Sequence, residues 1–335
     1  MRHHTRGPLT ALLAGSMMLA LSWTGAGPAQ AATNNFRGVN WADERDNFVD
    51  GVLVLGGLST SDSYATTQTK ADKILSGFQN NLGANTVRMP VNYATVSGSY
   101  WNSYTGAIDK ATSKGMKVIL SYWEGNSSRD GKVDNSSQFW SMWQTIVNKY
   151  GGNGNVYFEP FNEPHGYSDS DWKNLAAQWL SNYSGVPRGR VIISGTGYNQ
   201  GLITIGSDSR FDGCLISRHI YQFFDTGRHT KQSWKDALAD SVGSYASRVI
   251  VTEWGAPMTD GRDYDADADN KDDFVAFVRG VASESRALGL GTVYWPGVRP
   301  NDAYRIQNIN GSGTSISLST TNSSGRDQLR FSWGI

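Results

Sequence analysis

The sequence predicts a (β/α)8 barrel on three observations. Eight strand-like apolar runs recur along it, amphipathic stretches with helix start and stop signals separate most of them, and about 300 residues remain once an N-terminal leader is set aside. Continuous apolar strands, each followed by a crossover, call for a parallel sheet covered by helices, and at this length a closed barrel is the economical form.

The leader comes first. Arg2 and Arg6 precede an apolar run from Leu9 to about Trp23, followed by Ala29-Gln30-Ala31, the pattern of a secretory signal peptide over residues 1–31. The run is shorter than the roughly 20 residues that span a bilayer, and no later stretch reaches that length. The expectation is a secreted, extracellular chain, residues 32–335 forming one domain without a membrane anchor. The leader holds two of the 30 basic residues and none of the 30 acidic ones, so the remainder carries a net charge of −2. That balance argues against nucleic acid or an anionic membrane as partner. Cys214 is the only cysteine, so no intramolecular disulfide is available and the core alone must hold the fold.

The strands are read at 36–41, 85–89, 116–123, 155–161, 190–195, 214–221, 248–254 and 292–295. Helical periodicity falls at 71–81, 138–149, 171–183, 233–247 and 272–288, with Asp169 opening the third and "NLGAN" closing the first at a glycine. The stretch 201–211 is too short for a full helix. The tail after Trp295, including "SISLSTTNSSGRDQLRFSWGI", is read as an extended, hairpin-like closure without a helix. Loops 43–66 and 256–270 are longer than usual, aspartate-rich and able to shape a cleft into a pocket. The second resembles a calcium loop starting at Asp265, but Asn270 replaces the needed glycine and Ala276 falls where the bidentate glutamate belongs, which favours a solvated acidic rim.

Barrels of this kind gather their chemistry at the C-terminal ends of the strands. Those ends read Asn40 and Trp41, Arg88, Tyr122 to Glu124, Asn162 and Glu163, Thr196, His219 and Tyr221, Glu253 and Trp254, then Trp295. Glu163 ends the fourth strand and Glu253 the seventh, so a closed barrel sets them across one mouth. Two facing carboxylates are the minimum machinery of glycoside hydrolysis, one holding a proton for the leaving oxygen and the other attacking or activating water. Strand period aims Glu159 the same way as Glu163, but Glu159 lies inside the strand and is expected to be structural. The 12 Trp and 15 Tyr add flat faces suited to sugar rings.

The motifs "FRGVNW", "NTVRMP", "FNEP", "RHIY", "VTEWG" and "VYWPG", in that order from Phe36 onward, resemble the cellulase-like glycoside hydrolases of family 5. The resemblance implies a retaining β-glycosidase without metal or organic cofactor, acting on a carbohydrate, with Glu163 as acid/base and Glu253 as nucleophile. It further implies supporting roles for Arg88, Asn162, His219 and Tyr221, and a sugar platform at Trp295. Trp41, Trp123, Glu124 and Trp254 are the other candidate substrate contacts. One departure stands at the third strand end, where many members carry histidine and this chain reads Tyr122, Trp123 and Glu124.

Endo action on a β-glucan or mannan and exo action from a loop-built pocket both fit. A carbohydrate-binding barrel without turnover is the alternative from another class, although it has no physical need for a proton-holding carboxyl opposite an ionised one. A metallohydrolase built on His165 or His219 lacks histidine and aspartate at ligand spacing.

Overall fold

Alternation of inward and outward side chains along eight parallel strands decides where every candidate residue points. The computed structural model describes residues 33–335, together with Met1 and His3; the predicted signal peptide lies outside the described residues. The strands are β1 (Arg37–Trp41), β2 (Thr86–Val91), β3 (Lys117–Tyr122), β4 (Val156–Glu159), β5 (Ile192–Ser194), β6 (Leu215–Tyr221), β7 (Val249–Gly255) and β8 (Gly291–Val298). They hydrogen-bond in the order β4-β3-β2-β1-β8-β7-β6-β5, all parallel, and a bridge between Phe158 and Val191 closes β4 on β5. Each coincides with a predicted run to within a few residues.

The helices are α1 (Tyr64–Gly77), α2 (Tyr93–Ser97), α3 (Trp101–Ser113), α4 (Ser136–Tyr150), α5 (Asp169–Asn182), the single turn α6 (Thr196–Asn199), α7 (Leu202–Gly206), α8 (Lys231–Val242), α9 (Asp273–Leu288) and α10 (Ser323–Ser332). Short polar side chains start most of the long ones. Ser63, Asn135, Ser168, Thr230, Asp272 and Asn322 each accept a backbone N–H of the first turn, satisfying a donor that the helix leaves free. After α1 the chain continues through a π-helical turn, Phe78–Leu82, and stops at Gly83 with φ 78°, the glycine expected to end it.

The tail corrects one expectation. A hairpin of β9 (Gln307–Asn310) and β10 (Ser317–Thr320) is present, as predicted, but α10 follows it and packs on α9. Asn322 caps this helix and it buries Leu329, so the eighth crossover position is filled by a helix. Its polar composition, with Ser323, Ser324 and Gly325 at the start, hid the helical period.

Period 2 then sorts the side chains. On β6, Leu215, Ser217, His219 and Tyr221 share the barrel interior, while Ile216 and Ile220 face the helices in the main core. The interior is plugged below the mouth by Phe36, Ile119, Ile192, Leu215, Ile250 and Val293. The same rule overturns two predicted sugar contacts. Trp41 neighbours the inward Asn40 and therefore points out, fully buried against Phe78 with its indole N–H donating to the Gly56 carbonyl at 2.9 Å. Trp254 neighbours Glu253 and likewise turns outward, edge-to-face on Tyr294 in the core. A shift of one residue along a strand moves a side chain to the opposite face.

Candidate active site

Arg88, at the centre of β2, is wholly buried and organises the floor of the mouth. Its Nε donates to Glu159 at 2.6 Å, Nη1 to Asn40 at 2.9 Å and to Glu253 at 2.5 Å, and Nη2 to Asn162 at 2.7 Å and Ser121 at 3.1 Å. A guanidinium is fully desolvated here only because two carboxylates flank it. Burial alone would push the Glu159 carboxyl up, but the Arg88 guanidinium bonded to it holds it below the usual carboxylate range. Glu159 is thus a partner of Arg88 beneath the mouth, as its place within the strand implies. Glu159→Ala is expected to lower stability by about 3–5 kcal/mol, because it leaves half of the guanidinium's compensation missing; a chemical-denaturation midpoint measures this.

Glu253 sits on β7 with one oxygen on Arg88 and the other accepting from the Tyr221 hydroxyl at 3.0 Å. Glu163 lies four residues beyond the end of β4, with φ 55°. That left-handed turn is held from three sides: the Asn162 N–H bonds the Tyr122 carbonyl, the Glu163 N–H bonds Asn199 Oδ1 at 3.0 Å, and His165 N–H returns to the Glu163 carbonyl. His219 Nδ1 stands 2.8 Å from Glu163 Oε1 and 3.6 Å from Glu253 Oε2. One ligand atom each from Glu163, His219 and Glu253 lies within 4.8 Å of the other two, a grouping that would also close on a cation.

Electrostatics separate the two carboxyls. Burial pushes Glu163 up to about 7, with Arg88 too distant to cancel it. Burial also raises Glu253, but the Arg88 guanidinium opposes that, and the contact with Arg88 together with the Tyr221 hydroxyl favours its anion. A single proton shared by the pair therefore resides on Glu163. His219 is buried and pushed down to about 4, so its imidazole is neutral and does not compete as a cation. The Asn162 amide nitrogen and His219 Nε2 are buried with no hydrogen-bond partner among the described residues.

Above these groups opens a cavity of 360 Å³ that contains Glu163 and Glu253. Trp123 and Trp295 line it and stack on each other with centroids 5.6 Å apart, as expected of cavity aromatics. Glu124, the next residue, does not join them. Its carboxylate accepts the backbone N–H groups of Asp130 and Gly131 and so pins the loop after β3, which corrects the predicted sugar contact. Burial pushes Glu124 up to about 7 against those two bonds.

Sequence reasoning missed several lining residues: Asp46, Phe48, Tyr198, Phe223, Phe224 and Tyr304. Asp46 and Phe48 belong to the long first loop flagged by its length. The two phenylalanines follow "RHIY" after Gln222, the one local signal that pointed to them. The acidic loop 263–273 sends its carboxylates to separate partners, Asp265 to Gln328, Asp269 to the Lys231 N–H and Asp272 to Arg262 and the cap of α9. A larger hollow of 510 Å³ is lined by Asp50, Asn92, Asp134 and Gln138, but its two carboxylates are engaged by loop N–H and hydroxyl groups.

A (β/α)8 barrel whose mouth sets one proton-holding and one ion-paired carboxyl side by side defines the class of the protein, a glycoside hydrolase. The chain belongs to the cellulase family, glycosyl hydrolase family 5, whose sequence model matches residues 45–296. Among curated relatives, the manganese dependent endoglucanase Eg5A of Phanerodontia chrysosporium is 31% identical over 146 residues, 36% of this chain and 37% of that protein. An endoglucanase of Clostridium saccharobutylicum is 29% identical over 125 residues, 36% of this chain and 27% of that one. The chain thus spans about a third of the length of the curated relatives it matches.

Solved structures share the fold. Cel5A (EG2) from Hypocrea jecorina (Trichoderma reesei) superposes with a TM-score of 0.59 at 17% identity, covering 87% of this chain and 97% of that one. Pseudomonas stutzeri endoglucanase Cel5A gives 0.60 at 14% identity, covering 89% and 94%. XacCel5A in complex with cellopentaose gives 0.56 at 14% identity, covering 76% and 90%.

Proposed function

We propose that this chain is a secreted, retaining β-glycosidase of endo-β-glucanase type, with Glu253 as nucleophile and Glu163 as acid/base. The observation that carries the reading is the approach of the two carboxyls, with oxygens within 4.8 Å about a shared histidine. Retaining enzymes hold the pair about 5–5.5 Å apart, whereas inverting ones leave about 6.5–9.5 Å for a water. In the first step the Glu253 carboxylate attacks the anomeric carbon, while Glu163 gives its proton to the departing oxygen. In the second, Glu163, now ionised, draws a proton from the water that displaces Glu253.

The residues around the pair fit those steps. Arg88 and Tyr221 stabilise Glu253 as the anion that must attack. Arg88 holds the oxygen of Asn162, which leaves its unpaired amide nitrogen as the donor that would serve a sugar hydroxyl, a contact that strengthens as charge develops on the ring. The neutral His219 imidazole bonds Glu163 without drawing its proton off as a cation would. The endoglucanase names of the relatives, and the cellopentaose in one structural neighbour, support a β-linked glucan as substrate. The leader-like N-terminus supports export.

One observation favours exo action as a second reading. Arg299 bridges the loops after β1 and β8, with Nη1 3.3 Å from Asp46 and 2.6 Å from Asp302, walling one side of the cavity. Sugar release from β-glucan, mannan, xylan, galactan and aryl β-glycosides separates the cases. Oligomers from β-glucan are the expected products; monomers alone would favour exo action, and binding without release would leave a carbohydrate-binding barrel.

A further inference from the structure

We propose that a second, smaller cavity, behind the loop that follows β8, binds a small inorganic anion between Arg299, Arg305 and the amide of Gln307, and that the ion braces that loop. Binding there does not depend on the roles of Glu163 and Glu253.

Gln307 opens β9 and is fully buried, yet neither its amide nitrogen nor its amide oxygen has a hydrogen-bond partner among the described residues. The other buried side chains left short of a partner lack it at a single atom; only Gln307 lacks it at both ends. A primary amide carries two donors and an acceptor, and burying all of them unpaired costs stability. Gln307 borders a cavity of 190 Å³, with Arg299, Arg305 and Asn308 among the other walls. A polar occupant of that cavity is what its amide can meet.

The charge of the walls says which kind of occupant. Among the described residues, two arginines line the cavity and no aspartate or glutamate does. Arg299 is compensated on its far side, where Nη1 donates to Asp302 at 2.6 Å and stands 3.3 Å from Asp46. Arg305 has no carboxylate partner among the described residues: its Nε donates to Asn308 Oδ1 and its Nη1 to the Asp302 carbonyl, both at 2.6 Å. Each guanidinium keeps Nη2 outside these bonds. A cation would meet two like charges here, whereas an anion gains charge-assisted bonds from the guanidiniums and a further one from the Gln307 amide nitrogen. The space suits a halide or an oxyanion together with a few waters, one of which serves the Gln307 oxygen.

The loop between the two cavities links the ion to the mouth of the barrel. Asp302 is its hub. One carboxylate oxygen accepts Arg299, the other accepts the Tyr304 N–H at 2.7 Å, and the carbonyl accepts Arg305. Asp302 and Tyr304 line the cavity that holds Glu163 and Glu253, while Arg299 and Arg305 line the smaller one behind it. An anion between the two guanidiniums offsets their mutual repulsion and keeps Arg299 against Asp302 and Asp46. The wall of the larger cavity is then firmer with the ion bound than without it.

The test titrates sodium phosphate and, separately, sodium chloride into the full chain, with sodium gluconate holding the ionic strength constant, and reads the melting temperature. A saturable rise of roughly 2–5 °C is expected with at least one of the two ions. Saturation at a lower concentration of phosphate than of chloride would identify an oxyanion site, and the reverse order a halide site. Gln307→Glu brings a tethered anion to the same guanidiniums, and Arg305→Leu removes the uncompensated charge, so each is expected to lose the ion-dependent rise. Hydrogen exchange of the amides in 299–305 should slow when the ion binds the wild type and stay constant in both variants. No rise with either ion, the result for a cavity that holds water only, or an equal rise in wild type and both variants would overturn the site. A rise that leaves exchange in 299–305 unchanged would overturn the bracing of the loop.

Discussion

Glu253→Gln is expected to lower kcat on every glycoside by on the order of 10⁴-fold or more, because no other group can form the covalent bond to the anomeric carbon. Its geometry makes the loss specific to chemistry. Arg88 keeps Glu159 at 2.6 Å after the substitution, and a glutamine amide can still bond Tyr221 and Arg88, so the buried guanidinium is not left unpaired. The variant should therefore fold and bind oligosaccharide with little change in Kd. Turnover measured beside calorimetric binding checks both halves. Retention of more than a hundredth of the activity would remove Glu253 from the nucleophile's role.

Glu163→Gln should behave differently, and in two ways that share one cause. As proton donor, Glu163 matters most when the leaving group is a poor one. The loss should reach about 10²–10⁴-fold for a glycan, while bond cleavage in an activated aryl glycoside proceeds with far less loss and leaves Glu253 trapped as its glycosyl ester. The second signature is in pH. Burial holds the Glu163 proton up to about 7, so wild-type kcat/KM should fall as pH rises through that value and the acid form is lost. On the acid side, activity falls where Glu253 takes up a proton and ceases to be a nucleophile. Glutamine cannot ionise, so the substitution should abolish the basic limb and leave the acid limb in place. A basic limb that survives in Glu163→Gln would assign the proton to another group.

These two expectations depend on a division between carboxyls that local sequence shows only in part. Glu159 and Glu163 stand in matching Glu-Pro pairs with the same strand phase. What separates them is that β4 ends at Glu159, so this residue stays in the floor against Arg88, while Glu163 follows a left-handed turn into the mouth. The strand-end rule captured this outcome. The same rule failed for Trp41 and Trp254, because proximity to a strand end says nothing about which face a side chain occupies, and each sits one residue out of phase with its inward neighbour. For Glu124 the rule placed the residue near the mouth, but a run of free backbone N–H groups at Asp130 and Gly131 captured its carboxylate first.

By itself the sequence determined the barrel, its eight strands, the facing of Glu163 and Glu253 across one mouth and the shared face of His219 and Tyr221, which are consequences of period and order written along the chain; Arg88 and Asn162 came from the motifs that resemble the family. Tertiary structure alone decided the rest: which tryptophans reach the cavity, that the tail closes with a helix, which carboxyl keeps the proton, and that Asp46, Phe48, Tyr198 and Phe223 form the walls. The reason is physical. Burial and charge are sums over neighbours distant in sequence, and Arg88 alone gathers Asn40, Ser121, Glu159, Asn162 and Glu253 from four different segments, a convergence that exists only once the sheet has closed.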